Sequence, residues 1–121
     1  MSPWRVLVAG LAFLLLFSLS LIESPNAAAP LLRQVAVKHY GFNDATLNDV
    51  VVNEEEQYLG KHLQGRPRVE TTYDQKKTDE MIAALEDFWS ERGIGVKVLV
   101  ALTPVPSAPG YVFLGFNIYR Q

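Results

Sequence analysis

The chain has 121 residues and no cysteine, and its Lys plus Arg number 11 against 13 Asp plus Glu, a formal net charge of -2. This excludes disulfide staples, an anchor through a lipidated cysteine and a chain-wide basic footprint for nucleic acid or anionic lipid. One domain fits the length, and its stability must come from a core built by about ninety residues.

Residues 1–22 carry one charge, Arg5, followed by the uncharged apolar run VLVAGLAFLLLFSLSLI. A core helix of a small soluble domain would present a polar face, and this run has none. The segment therefore reads as an export signal or a signal-anchor helix. Its length lies at the short end of the roughly 17–25 residues that span a bilayer. The cleavage-type sequence Ala27-Ala28-Ala29 precedes Pro30, a poor first mature residue, so both outcomes stay open. Residues 23–33, opening with ESPNAAAP, read as a linker, and residues 34–121 as the folded domain.

A first strand alternates around Val35 and Val37 in LLRQVAVKHYG. Asn43 or Asp44 then caps a helix carrying Leu47, Val50, Val51 and Tyr58, with Gly60 as its stop. Residues 61–72 hold Gly65 and Pro67 and read as a loop, with a short extended piece at 68–72. Asp74 caps a second helix whose stripe is Thr78, Met81, Ile82, Leu85, Phe88 and Trp89. Gly93 suits its left-handed C-terminal position. A second strand follows at 96–103, then the turn PVPSAPG, then a third strand at 111–119. The order strand-helix-helix-strand-strand predicts an α+β fold. Its three-stranded mixed sheet has the third strand central and parallel to the first, with both helices on one face.

The residues that could carry chemistry are sparse. His39 and His62 with Glu54, Glu55 and Glu56 would make a metal site only if they converged, and no i, i+4 His pair enforces that. They are expected as surface residues. Ser90 and Ser107 lack a nucleophile elbow, and His39 has no acid partner fixed by spacing, so no enzyme and no cofactor are expected. Trp89 belongs to the apolar stripe and is expected in the core. Two surfaces stand out instead. The second strand lies at the sheet edge, where Val96, Lys97, Val98, Leu99, Val100, Ala101 and Leu102 offer backbone groups for strand addition. On the sheet's outer face, Tyr40, Tyr111, Phe113 and Tyr119 form an apolar patch that calls for a cover.

FND–L at 42–47, YDQKKTDEMIAALEDFWSERGIGVKV and the closing GYVFLGFNI together resemble a polypeptide-transport-associated (POTRA) domain. In that family an aromatic-acid pair opens the second helix, matched by Tyr73-Asp74. An aromatic-x-x-x-Gly ending is matched by Trp89 and Gly93, and a valine-rich strand by Val96-Lys97-Val98. The resemblance covers residues 34–119, and the loop at 61–72 is longer than the family's usual connection. It implies a binding module of the bacterial envelope with a polypeptide or membrane-protein partner, while the charge balance argues against nucleic acid and the ligand spacing against a metal. The alternative is an assembly subunit that packs through its outer sheet face. Arg5 ahead of the apolar run biases the N-terminus to the cytoplasm, which puts residues 24–121 in the periplasm, anchored or released.

Overall fold

The computed structural model describes residues 29–121, so the signal or anchor expected at 1–22 lies outside the described residues. The elements are β1 (Leu31–Tyr40), α1 (Asp49–His62), α2 (Gln75–Ser90), β2 (Val96–Pro104) and β3 (Tyr111–Arg120). The sheet order is β1-β3-β2, with β1 parallel and β2 antiparallel to β3. The most apolar strand takes the centre, as its composition predicts. Among the described residues no helix is long and apolar enough to cross a membrane.

Local chemistry explains each boundary. β1 already includes Leu31–Arg33, and its register slips between Leu32 and Gln34. Arg33 is the extra residue of this bulge, which lets Leu32, Val35, Val37 and His39 all share the core-facing side despite broken alternation. The piece at 70–72 folds back on this end: Leu32 N–H donates to the Thr71 carbonyl at 2.9 Å and Glu70 N–H to the Leu32 carbonyl at 2.8 Å.

α1 starts later than its sequence suggests. Asn43 Oδ1 accepts the Thr46 N–H at 2.8 Å and closes a separate turn, while Asn48 caps the helix by accepting the Val51 N–H at 3.1 Å. Gly60 does not stop it. A Cβ there would meet open space, so this position is a solvated helical residue, and the chain reverses at Gly65, with φ 70°. α2 follows expectation, with Asp74 Oδ1 accepting the Lys77 N–H at 3.1 Å. It closes with paired bonds, Ile94 N–H to the Trp89 carbonyl and Gly93 N–H to the Ser90 carbonyl, around Gly93 at φ 76°. This Schellman closure needs a residue free of Cβ strain and delivers the chain straight into β2.

One cluster joins Leu59 of α1 and Met81, Leu85, Phe88 and Trp89 of α2 to Leu32, Val98, Leu114, Phe116 and Ile118 of the sheet. Each such side chain, fully buried, contributes about 1.5–3 kcal/mol. Tyr58, Tyr73, Ile82 and Ile94 pack around the cluster. The sheet residues of the cluster define its inner face, and the intervening positions its outer face.

Candidate docking surface

Strand order leaves β2 at an edge, and two flanking bonds fix the phase of its ladder. Gln121 N–H donates to the Gly95 carbonyl at 2.9 Å, and Val105 N–H to the Tyr111 carbonyl at 3.1 Å. An antiparallel ladder alternates hydrogen-bonded with non-hydrogen-bonded pairs. With the register Val96↔Arg120 through Pro104↔Val112, Lys97, Leu99, Ala101 and Thr103 therefore bond to β3. Val96, Val98, Val100 and Leu102 direct their N–H and C=O groups the other way, and no other described strand pairs with that edge. The seven edge residues expected from the sequence thus divide in two: four even positions offer backbone groups, and three odd positions offer side chains on the outer face. Val98 is buried in the core, whereas Leu102 is 42% exposed.

The outer face is ordered in rows by the register. Tyr40, Tyr119 and Lys97 form one row; Lys38, Asn117 and Leu99 the next; then Ala36, Gly115 and Ala101; then Gln34, Phe113 and Thr103. Tyr40 and Tyr119 stack, with ring centroids 4.9 Å apart and planes 14° from parallel. Tyr40, Leu99, Phe113 and Tyr119 are exposed, while Tyr111 is half-buried, its hydroxyl donating to Glu70 Oε1 at 3.1 Å. That bond, with the charge of Glu70, holds the Tyr111 phenol above its ordinary pKa. The four residues of the expected patch are thus two groups: the stacked pair at one end, and Phe113 with Tyr111 at the other. Between them the row of small residues floors an open depression of about 270 Å³.

His39 and Glu55 are not surface residues. Glu55 is 4% exposed; its Oε2 accepts the Trp89 indole Nε1–H at 2.8 Å, and His39 Nε2 lies 3.1 Å from both of its oxygens. A carboxylate only accepts, so His39 carries hydrogen on that nitrogen. Phe42 closes the knot, its ring centroid 4.8 Å from Trp89 and 5.6 Å from His39. The acid partner that spacing did not reveal is Glu55, delivered by α1 from 16 residues away. Both residues line a groove between β1 and α1 with Val37, Asp49, Val52 and Glu56. His62 is elsewhere, on the surface against the Tyr58 ring at 4.2 Å. Glu54 and Glu56 are exposed and pair with Arg92 and Arg66. Among the described residues no group of three or more His, Cys, Asp or Glu side chains is placed to hold a metal ion. Ser90 and Ser107 are exposed residues of the α2 end and the β2–β3 turn.

No protein-family model matches the chain, and no curated protein matches it in sequence.

Proposed function

We propose that the chain is a POTRA-like protein-docking module of the bacterial envelope, exported or tethered by residues 1–22 and folded on the far side of the inner membrane. In this reading the two helices cover one face of the mixed sheet. An extended segment of a partner polypeptide adds as a fourth strand along 96–102 and pairs with the backbone groups of Val96, Val98, Val100 and Leu102. The observation that carries the reading is the edge position of β2, with its even-numbered groups directed away from β3. An unpaired edge is otherwise a liability that proteins blunt with charge or proline. Here Lys97 and Pro104 flank an interior of Val98, Leu99, Val100, Ala101 and Leu102, which is left bare.

The test follows from the phase. Proline at Leu102 removes an N–H that faces the open edge and leaves the bonds to β3 intact. Proline at Leu99 would instead remove a bond to β3. A photoreactive residue at Lys97 should cross-link a discrete partner in native membranes, and Leu102→Pro should abolish the adduct while Leu102→Ala keeps it. An adduct that survives Leu102→Pro rules out strand addition at this edge. Localisation has its own check: alkaline phosphatase fused after Gln121 should be active, and an inactive fusion would place the domain in the cytoplasm.

A further inference from the structure

Charge in the described residues is sorted by layer. The three strands contain Arg33, Lys38, Lys97 and Arg120 and no Asp or Glu, whereas α1 and α2 carry eight carboxylates against three lysines. Three of the four strand cations belong to the outer face. Lys38 and Lys97 stand in its rows, and the Arg33 guanidinium lies 5.8 Å from the centroid of the Tyr111 ring. None of the three has an ion-pair partner among the described residues. Glu70, engaged with the Tyr111 hydroxyl, is the carboxylate at the rim. A chain of net charge -2 thus presents a sheet face that is apolar, aromatic and cationic.

This sorting opposes the simplest self-association. Two copies packed sheet to sheet would bury Lys38 and Lys97 in a desolvated contact whose facing rows contain no carboxylate to pair with them. The depression counts against a flat bilayer surface as occupant. Its floor is Ala36, Gly115 and Ala101, below the level of Phe113 and the Tyr40–Tyr119 stack, so the centre is hollow where headgroups would need protruding side chains. The hollow is also continuous with the β2 edge, because Ala101 belongs to both. On a strand added beside β2, side chains facing the same way as Lys97, Leu99 and Ala101 would stand next to them in the rows.

We propose that the outer face selects an acidic polypeptide segment bearing aromatic side chains. A carboxylate on the added strand pairs with Lys97, Lys38 across the sheet on β1 adds attraction at longer range, and an aromatic side chain lies flat over Ala101 and Gly115. The proposal rests on strand addition at β2 and names the partner chemistry of that same site. Lys97 sets the register by charge, and the small-residue row admits a ring that any larger residue there would exclude.

The experiment uses the full chain in phosphatidylcholine nanodiscs, with a fluorescent glutamate–tyrosine copolymer as probe. A lysine–tyrosine copolymer and polyglutamate serve as comparisons. The glutamate–tyrosine copolymer should bind and the lysine–tyrosine copolymer should not, with polyglutamate weaker than the first. Lys38→Glu with Lys97→Glu, both exposed and checked for fold by circular dichroism, should weaken binding by about tenfold or more. Lys61→Glu with Lys76→Glu on the helices should leave it unchanged. Gly115→Leu, which fills the hollow, should weaken the tyrosine copolymer to the level of polyglutamate. Equal binding of both copolymers, or binding indifferent to Lys38→Glu/Lys97→Glu, overturns the proposal. So does lysine-dependent capture of phosphatidylglycerol nanodiscs without copolymer binding, which assigns the face to lipid. Self-association abolished by the double reversal also overturns it, since a second copy is then the occupant. Leu102→Pro separates the two readings. Loss of binding in that variant alone leaves the edge standing without the face, and loss in the lysine reversal alone leaves the face without the edge.

Discussion

The two faces of the sheet solve opposite problems with similar residue types. On the inner face the polar groups are few, buried and satisfied: Glu55 takes hydrogen bonds from both Trp89 and His39 inside a ring of aromatic side chains. On the outer face the aromatics are exposed, the cations are unpaired among the described residues, and the centre is hollow. The inner face is finished by the chain itself, whereas the outer face and the β2 edge have no cover among the described residues. Burial therefore separates groups that hold the fold from groups left free to bind.

Removing a member of the inner knot should have the largest effect. Glu55→Ala strands the Trp89 indole N–H and the His39 ring N–H in the core, and should destabilise the fold by about 3 kcal/mol. Glu55→Gln keeps an acceptor and should cost less. Both are read by urea denaturation, following Trp89 fluorescence in a Trp4→Phe background that leaves it the sole tryptophan. A loss below about 1 kcal/mol for Glu55→Ala would mean the knot is not a structural requirement. On the outer face, Tyr119→Ala breaks the stack with Tyr40 and should cost only about 1 kcal/mol. If the two losses are equal, the division between faces fails.

The smallest effect is alkaline. Burial, reinforced by Asp79 and Asp74 and opposed by a hydrogen bond with Thr78, raises the pKa of the Tyr73 phenol. The folded value lies above the unfolded one, so the unfolded chain ionises first. This contribution is fully present below the unfolded pKa, about 10, and is lost as pH rises through the folded value. Tyr73→Phe should flatten part of the fall in urea midpoint on the alkaline side. An unchanged slope would mean that Tyr73 ionises as freely in the folded domain as in the unfolded chain.

Most of the frame was legible because the strong signals are local. Asp74 as cap, the stripe from Thr78 to Trp89 and Gly93 as the left-handed closure each act within a few residues, and α2 forms where they place it. The start of α1 departs from the expected Asn43 or Asp44 because Asn43 and Asn48 offer the same capping chemistry, and only the later one is followed by a helix that packs. The Glu55 knot was missed although its signals were present. Val51, Glu55 and Leu59 recur at intervals of four, so the inward stripe of α1 passes through Glu55. His39 continues the parity of Val35 and Val37. Neither signal names a partner, because α1 meets β1 only through the tertiary fold. The hollow was illegible for a similar reason: Ala36, Ala101 and Gly115 form a row only once the register is known.

The β2 edge stands open, with alternate backbone donors unpaired among the described residues. Amide-resolved hydrogen exchange across Val96–Pro104 of the chain without a partner measures this directly. Exchange should be fast at Val96, Val98, Val100 and Leu102 and slow at Lys97, Leu99, Ala101 and Thr103, whose amides bond to β3. Uniform protection, or the reverse alternation, would show that the edge is already occupied or that the ladder has the other phase, and would contradict the docking surface described here.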